Sequence, residues 1–462
     1  MKKSLYLLLV STILLSSCGL YKKYERPTDI NTTGLFRDTT NINTALAEKG
    51  TCSLGCTPWR EIFTDVQLQQ LIEKALQNNT DLLTAMLSVK QAKDMLAVAK
   101  LAYIPSFALN GNASVRSWNQ EKATQTYSLP IEASWYVPLF GDITATKRAQ
   151  QAILAQSEDY QRAIQSGLIA QIANAYYTLL MLDKQLAITK NTEQLTKQTY
   201  EMMQQQKKYA FADESSVQSA KANYYSVLAS IPELERQILT TENALSLLLA
   251  EAPHSIARGS LDSQKLPEKF STGVGVQLLT NRPDVHAAEM NLANCFYNVE
   301  KARAAFYPAI RITGSAAWTN NGGSGIVNPG KLLASAVGSL VQPIFQNGTL
   351  TAQLKVAKSK QEQAYLAWQQ SVLNAGGEVS NALALYQSSS KRSNLEIVQI
   401  ESLQRNVEVA EKMFKMGQNG NYLNVISAQQ SLLQAQLSKV ANDFNKMQAV
   451  VNLYYALGGG SK

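Results

Sequence analysis

Residues 126–137 read TYSLPIEASWYV, a stretch in which every second residue is apolar. The apolar positions are Tyr127, Leu129, Ile131, Ala133, Trp135 and Val137, and polar Thr126, Ser128, Glu132 and Ser134 lie between them. Alternation with a period of two predicts a β-strand with one apolar and one polar face. Similar alternation marks three further stretches, most weakly in the last. We therefore predict four strands, at 106–116, 126–137, 310–318 and 333–341.

The length and composition of these strands suit a lipid bilayer. A tilted strand of about 9 to 12 residues can cross a membrane, and Trp118, Trp135 and Trp318 lie near strand ends, where interface aromatics occur. Lipid tolerates no open sheet edge, and bacterial barrels have about eight strands or more. Because four strands cannot close alone, we predict an α+β membrane protein in which a homotrimer closes a twelve-stranded barrel. The alternative is a small soluble β-sandwich attached to a helical protein.

Long stretches without proline accompany these strands. All 12 prolines lie at or before Pro343, and apolar residues in 143–208 recur at spacings of three and four, as in a helix with one buried seam. At 1.5 Å per residue this helix would be roughly 100 Å long, the scale of a periplasm. We predict long helices at 143–208 and 346–413 and shorter ones at 66–101, 215–249, 275–305 and 422–457.

Two local features oppose unbroken helices. Pro232 is expected to kink or interrupt its helix, and Gly376-Gly377 to do the same in the second long helix. An isolated coiled coil would explain the helices but not the alternating strands.

The chain contains an internal repeat of about two hundred residues. The segment ending at Pro105 corresponds to the one ending at Pro308, with a shift of 203, and the turn around Pro138 corresponds to that around Pro343, with a shift of 205. Tyr209 and Phe414, before two later turns, are again 205 apart. We predict tandem repeats at 61–259 and 260–462, each with a helix, two strands, a long helix and a further helix.

The N-terminus has the pattern of an export signal. Two lysines precede an apolar run, and Leu15-Ser16-Ser17-Cys18 resembles the cleavage site of a bacterial lipoprotein. We predict a signal peptide at 1–17 and a lipid-anchored extension at 18–60, with Cys18 carrying the lipid. An ordinary secretory signal with a chance cysteine is the alternative. Apart from this covalent lipid, no cofactor is expected, and the predicted location is the outer membrane with an extension into the periplasm.

The formal charge of +8 is scattered along the 462-residue chain, so nucleic acid is not an expected partner. Cys52 and Cys56, in CSLGC, form either a disulfide or two thiols, and no histidine lies nearby to suggest a metal site. Cys295 is predicted to be a buried thiol. His254 and His286 lack a nucleophile pattern and are expected to be surface or packed residues. Without a phosphate loop or metal-spaced cluster, we do not expect an enzyme.

These features resemble the outer-membrane factor family of the TolC/OprM type, in particular the lipoprotein branch that serves tripartite efflux systems. The resemblance covers essentially the whole mature chain. Its supporting residues are Cys18, Tyr24-Glu25-Arg26-Pro27, Asn281-Arg282-Pro283-Asp284-Val285, Ala302-Arg303-Ala304-Ala305-Phe306-Tyr307-Pro308 and Ala456-Leu457-Gly458-Gly459-Gly460.

The resemblance implies a barrel continued by a periplasmic tube of helices that closes at helix-turn-helix tips. Those tips would be 209–216 and 417–424. Gly417 and Gly420 would permit the tight second turn. The candidate gate residues are Asp213, Glu214, Asn424 and Ser427. Because Asn424 and Ser427 are uncharged, an acidic ring is expected only from Asp213 and Glu214, which could instead be ordinary turn and helix-start residues.

The predicted function is a passive exit duct for small toxic compounds, which an inner-membrane transporter and a periplasmic adaptor protein would deliver. The alternatives are a duct for protein secretion and a lipid-anchored scaffold that conducts nothing. Methionines near the tips, which are Met202, Met203, Met413 and Met416, are expected to serve packing more often than binding of soft metal ions.

Overall fold

A computed structural model describes most of the chain. The described residues are 22–27, 54–117, 119, 123–137, 139–265, 282–319, 332–416 and 422–461. The predicted signal peptide, Cys18, Cys52, Gly417 and Gly420 lie outside these ranges.

The strands form a single antiparallel sheet. They are β1 (Ser106–Leu109), β2 (Asn112–Arg116), β3 (Thr124–Val137), β4 (Ala309–Thr319) and β5 (Leu332–Val341). The order is β1-β3-β4-β5, and β2 also pairs with β3. The first predicted strand is thus divided in two at residues 110–111, although both parts follow the same partner strand. The other three predicted strands are present as single strands.

Eight helices occur in the described residues. They are α1 (Trp59–Ile62), α2 (Val66–Asn78), α3 (Thr80–Leu101), α4 (Asp142–Lys208), α5 (Glu214–Leu248), α6 (Pro283–Ala304), α7 (Thr349–Lys415) and α8 (Tyr422–Ala456). The long helices α4 and α7 both contain 67 residues, as the proline-free stretches predicted. Within the described part of the chain, no helix combines the length and apolar character needed to cross a membrane.

The helix predicted at 66–101 is two helices, because Asn79 separates α2 from α3. Its side-chain oxygen accepts hydrogen bonds from the backbone N–H groups of Asp81 and Leu82, at 3.0 and 3.1 Å, and so caps α3. Its side-chain nitrogen donates to the Leu248 carbonyl at 3.0 Å. The asparagine therefore both ends one helix and begins the next.

The interruptions expected as one outcome at Pro232 and Gly376-Gly377 are wrong, because α5 and α7 continue through them, whereas a kink at these residues stays a prediction. Proline removes one backbone donor, the N–H that would bind the Leu228 carbonyl, so the loss is confined to one turn. In helices of 35 and 67 residues, packing over many turns outweighs one or two unfavourable local propensities.

The chain divides into two compact units. Unit 1 comprises 1–30, 87–159 and 286–370, and it contains the whole sheet. In this unit the described N-terminal segment packs on α6. The Arg26 guanidinium binds the Glu289 carboxylate through two hydrogen bonds of 2.8 and 2.6 Å, and the rings of Tyr24 and Phe296 are 5.9 Å apart. Residues 22–27, just after the predicted lipid site, are therefore held on the helix surface.

Unit 2 comprises 31–86, 160–285 and 371–462. Its hydrophobic core joins the N-terminal helices to α4 and α8. The most buried side chains there include Phe63, Leu68, Ile72, Tyr176, Leu179 and Leu453. Burial of such large apolar side chains, each worth about 1.5–3 kcal/mol, stabilises this unit.

Candidate functional site

One face of the sheet is apolar from edge to edge. Residues opposite each other in an antiparallel pair point to the same face, and Trp135 lies opposite Ile312, which lies opposite Gly338. The same face carries Phe107, Leu109, Ala113, Val115, Leu129, Ile131, Ala133, Val137, Ile310, Ala316, Trp318, Ala334, Ala336 and Leu340. Many of these large side chains are exposed, so none of the residues that the structure describes forms a packed layer over this face.

The opposite face is mostly polar. Glu132 lies opposite Ser315, Ser134 opposite Thr313, and Ser315 opposite Ser335. The hydroxyls of Ser315 and Ser335 are 2.8 Å apart, and the Asn110 side chain donates to Glu132 at 2.9 Å. Val337 is an exception on this face, since it lies opposite Thr313. A sheet that is apolar on one side and polar on the other fits the boundary between lipid and water.

Both edges of the described sheet have a partner on one side only. β1 and β2 pair with β3, and β5 pairs with β4. The outward backbone N–H and C=O groups of these edge strands are available to pair with another strand. In lipid they must pair with one, because no water is present to form hydrogen bonds with them.

The turn between α4 and α5 forms the first predicted tip. The N–H of Phe211 donates to the Gln206 carbonyl at 2.9 Å, and the N–H of Ala210 donates to that of Lys207 at 3.0 Å. This closing pattern needs a left-handed residue, and Ala210 supplies it with φ 61°. Tyr209 and Phe211 are 72% and 82% exposed, so the tip presents two aromatic rings to solvent.

The carboxylates at this tip also have local partners. Asp213 caps α5 by accepting from the Ser216 N–H at 2.7 Å and from the Ser216 hydroxyl. Glu214 pairs with Lys207 and accepts from the Gln218 side chain at 2.6 Å. Hydrogen bonds from Ser216 lower the pKa of Asp213, and the ammonium of Lys207 lowers the pKa of Glu214. Both groups are therefore charged at neutral pH, whether or not they act as a gate.

The beginning of α8 packs close to the first tip. Ile426 belongs to a buried cluster with Met203, Val217 and Ala220, so α4, α5 and α8 meet there. Asn424 and Ser427, on either side of Ile426 in the sequence, are exposed. The cluster therefore joins α4 to α5 and α8, the two helices whose first turns carry the candidate gate residues.

Of the methionines near the tips, Met203 is buried in that cluster, as packing predicts, whereas Met413 and Met416 are exposed. Within the described residues, no group of three or more His, Cys, Asp or Glu side chains is arranged to hold a metal ion.

The cysteines and histidines differ in part from expectation. Cys295 is only half-buried, because it lines an open cavity of about 700 Å³ between α6 and α7, and burial raises the pKa of its thiol. Cys56 is exposed at the end of a short 3₁₀ helix, and its pairing with Cys52 stays a prediction. His254 is exposed and His286 is partly packed, as expected.

Sequence reasoning missed the role of Arg282. Its buried guanidinium binds Asp284 through two hydrogen bonds of 3.0 and 2.7 Å, Glu378 at 2.8 Å, and the Ala456 carbonyl at 3.1 Å. It therefore joins the start of α6 to α7 and to the end of α8. The available signal was an arginine directly before a helix-starting proline, with Asp284 two residues later, but the other two partners lie 96 and 174 residues away.

Comparison with known proteins identifies the family. A family model described as outer membrane efflux protein matches residues 71–251 and 274–459. The chain belongs to the outer membrane efflux protein family. It is 28% identical to the cation efflux system protein CusC of Escherichia coli K12, over 97% of each chain. It is also 28% identical to the probable outer membrane lipoprotein SilC of Salmonella typhimurium, over 99% of each chain.

Solved structures agree with this assignment. The outer membrane channel MtrE of Neisseria gonorrhoeae, in an open state, is similar with a TM-score of 0.83 and 26% identity over 96% of this chain and 98% of that chain. These comparisons confirm three predictions from the sequence, which are the family, the outer-membrane location and the efflux function.

Proposed function

We propose that three copies of this outer membrane efflux protein form one passive channel. β1 and β2 follow each other along β3 and count as one strand of the barrel, so each copy would contribute four strands to a barrel of twelve. The long helices would form a tube in the periplasm. Small toxic compounds would enter from an inner-membrane transporter through a periplasmic adaptor protein and leave through the barrel. The lipid on Cys18 would add a second attachment to the outer membrane.

The observation that carries this proposal is the two-faced sheet with unpaired edges. An exposed apolar face is unfavourable in water at about 25 cal/mol for each Å². In lipid the apolar face contacts acyl chains and the unfavourable exposure to water is removed. The outward backbone N–H and C=O groups of β1, β2 and β5 then need hydrogen-bond partners. Further copies of the same sheet satisfy both requirements, and the polar face then lines a water-filled interior.

Helix lengths support the tandem repeats at 61–259 and 260–462. Both α3 and α6 contain 22 residues, both α4 and α7 contain 67, and both α5 and α8 contain 35. Such equality favours a tube whose wall repeats twice in each copy, six times in a trimer.

The tips are the proposed entrance and the adaptor site. Asp213 and Glu214 would contribute three copies each of a charged carboxylate, whereas Asn424 and Ser427 would contribute polar, uncharged groups. Turns at Gly417 and Gly420 would complete the second tip. Opening would separate packed helices at the cluster around Met203, and binding of the adaptor would favour the open arrangement.

The names of two relatives indicate which compounds those relatives export. CusC is named for cation efflux, and another relative, TtgC of Pseudomonas putida, for toluene efflux, at 28% identity. Small toxic compounds are the class that includes both, which favours this class over secreted proteins.

The test combines purified protein with a deletion strain. We expect detergent-purified chains to migrate as trimers and to conduct ions in a planar bilayer. Cells without the protein should become sensitive to toxic cations or organic compounds and should still secrete proteins normally. Monomers that stay dissolved without detergent, or impermeable trimers, would contradict the channel, and a defect confined to protein secretion would contradict the proposed cargo.

A further inference from the structure

Three contacts in unit 1 join the first half of the chain to the second. The Arg148 guanidinium on α4 lies 5.9 Å from the ring centre of Tyr297 on α6. The rings of Phe140 and Tyr307 stack at 5.0 Å, and Trp135 on β3 lies directly opposite Ile312 on β4. In each contact, a residue of the β3–α4 region of the first half touches a residue of the α6–β4 region of the second half.

The internal repeat gives each of these residues a counterpart. The shift is 203 between α3 and α6, since 80 corresponds to 283 and 101 to 304. It is 207 between α4 and α7, since 142 corresponds to 349 and 208 to 415, so Tyr209 corresponds to Met416 and not to Phe414 as the sequence suggested. Gly141 and Gly348, the residues just before α4 and α7, both have positive φ, 79° and 78°. Two additional residues between Phe345 and Gly348 change the shift from 205 at the preceding turn to 207 in the helix.

Applying these shifts produces three new pairs. Arg148 and Tyr297 correspond to Lys355 and Asp94, Phe140 and Tyr307 correspond to Phe345 and Ile104, and Trp135 and Ile312 correspond to Leu340 and Leu109.

The members of each new pair are exposed and complementary. Lys355 and Asp94 have opposite charges, and neither has an ion-pair partner among the residues that the structure describes. Ile104 is 59% and Phe345 is 81% exposed, although their counterparts are stacked with aromatic partners. Leu109 and Leu340 are also exposed, one on each edge strand of the sheet.

These pairs cannot form within one chain. β1 and β5 are separated by β3 and β4, which places the strands three spacings apart, or about 14 Å along the sheet. If the sheet curled until its edges met, the barrel would have only four strands around its circumference, fewer than the eight or so that bacterial barrels require. The partner of each residue must therefore come from another copy.

We propose that neighbouring copies join through an interface in which β5 and α7 of one copy pack on β1 and α3 of the next, as β3 and α4 pack on β4 and α6 within a chain. This interface is defined by three contacts: Leu340 opposite Leu109, Phe345 against Ile104, and Lys355 paired with Asp94. The proposal rests on the trimeric channel proposed above and specifies which residues hold the trimer together.

Cysteine cross-linking tests the strand register. Residues directly opposite each other in an antiparallel pair have Cβ atoms about 4.5–5.5 Å apart, within reach of a disulfide. Leu109→Cys with Leu340→Cys should shift the band on a non-reducing gel from monomer to covalent dimer and trimer. Trp135→Cys with Ile312→Cys, the equivalent pair within one chain, should leave the band at the monomer position. Single variants measure any contribution from the native cysteines.

An off-register pair makes the test specific. Val115 is exposed on β2, at the same sheet edge as Leu109 but roughly 20 Å further along the strand direction. Val115→Cys with Leu340→Cys should give little covalent dimer. Intact conducting trimers in which the Leu109–Leu340 pair gives no cross-link, or in which the Val115 pair cross-links equally well, would overturn the interface. Absence of trimers in the unmodified protein would instead overturn the proposed function.

Charge reversal tests the helix contact independently. Asp94→Lys or Lys355→Glu alone places like charges together three times in each trimer, and the trimer fraction that survives mild heating in SDS should fall. The double reversal restores opposite charges and should recover most of that fraction. Equal losses in the single and double variants would show that Asp94 and Lys355 do not meet.

Discussion

The imidazole Nδ1 of His286 on α6 contacts the carboxylate of Asp159 on α4, and only 2% of the Asp159 side chain is exposed. A buried carboxylate favours the protonated imidazole because an unpaired charge away from water is costly. This hydrogen bond is the largest cause of the raised pKa of His286, and the charge of Glu289 acts in the same direction. The contact therefore joins the two helices most strongly when His286 is charged.

The stability of this contact should depend on pH. The pKa of His286 is raised in the folded protein above its ordinary value of 6.5, so its contribution is fully present below about 6.5 and is lost as pH rises through the folded-state value. His286→Gln should lower the unfolding free energy at pH 5.5 by about 1 kcal/mol, which is less than the roughly 1.5–3 kcal/mol of a hydrogen bond to a charged group because the imidazole is partly exposed.

Melting temperatures in detergent between pH 5.5 and 8.5 check this prediction. The difference between the native protein and His286→Gln should shrink as pH rises. His254→Gln removes the other histidine, which is exposed, and should have a smaller effect. A difference that is constant or grows with pH contradicts the assignment to His286.

Arg282 should be a major stabilising residue of unit 2. Only 3% of its side chain is exposed, while its partners Asp284 and Glu378 are 41% and 48% exposed. Arg282→Met keeps much of the volume but removes every polar contact, and should cost about 2 kcal/mol because the two carboxylates can regain water. Arg282→Lys retains the charge without the planar fork and should recover less than half of that loss. Urea denaturation measures both, and equal stability of all three proteins would refute the role.

The sequence predicted the fold wherever a pattern repeats over many residues. Alternation at 126–137 specified β3 and its two faces, and the spacing of apolar residues in 143–208 specified α4 almost to the residue. Strands and long helices are predictable because many residues agree on one period. The strand pattern and the export signal indicated the membrane, and the family resemblance then indicated the efflux function.

Single residues with distant partners were not predictable in this way. The break at Asn79 depends on the Leu248 carbonyl, 169 residues away, and the contact of His286 depends on Asp159, 127 residues away. Pro232 does not interrupt α5 as its local preference suggested, because packing along a long helix outweighs that preference. Propensity alone contains no information about such partners.

Reciprocal substitutions at two helix ends should have opposite effects. Helices α5 and α8 both contain 35 residues and both end in a left-handed residue, which is Ala250 with φ 58° in one and Gly458 with φ 80° in the other. Alanine in this conformation is strained by roughly 1–2 kcal/mol, a strain that glycine does not have. Glycine gains less than the full difference in stability, because its unfolded chain has more conformational entropy. Ala250→Gly should therefore raise the melting temperature, and Gly458→Ala should lower it. Changes of the same sign would show that local packing, not backbone strain, dominates these ends.

The carboxylates at the first tip should influence ion selectivity. Asp213→Asn with Glu214→Gln removes both charges and keeps the approximate shape, so cation preference of single trimers in a planar bilayer should fall. Because Asp213 also caps α5, Ser216→Ala serves as a control that weakens the cap without changing the charge. Selectivity that is unchanged in the double variant, or equally reduced in Ser216→Ala, removes these carboxylates from the proposed gate.

Two neighbouring residues on β4 distinguish the lipid face from the interior face. Ile312 lies on the apolar face and Thr313 on the polar face, although they are adjacent in the chain. Ile312→Lys should cost up to about 2–4 kcal/mol in lipid, because a lysine on the lipid-facing side of a barrel loses its hydration, and the yield of folded trimer in the outer membrane should fall sharply. Thr313→Lys places the same charge in water, so trimers should form normally and their conductance should shift toward anions. If both variants assemble equally well, the sheet does not separate lipid from water, and the channel proposal loses the observation on which it depends.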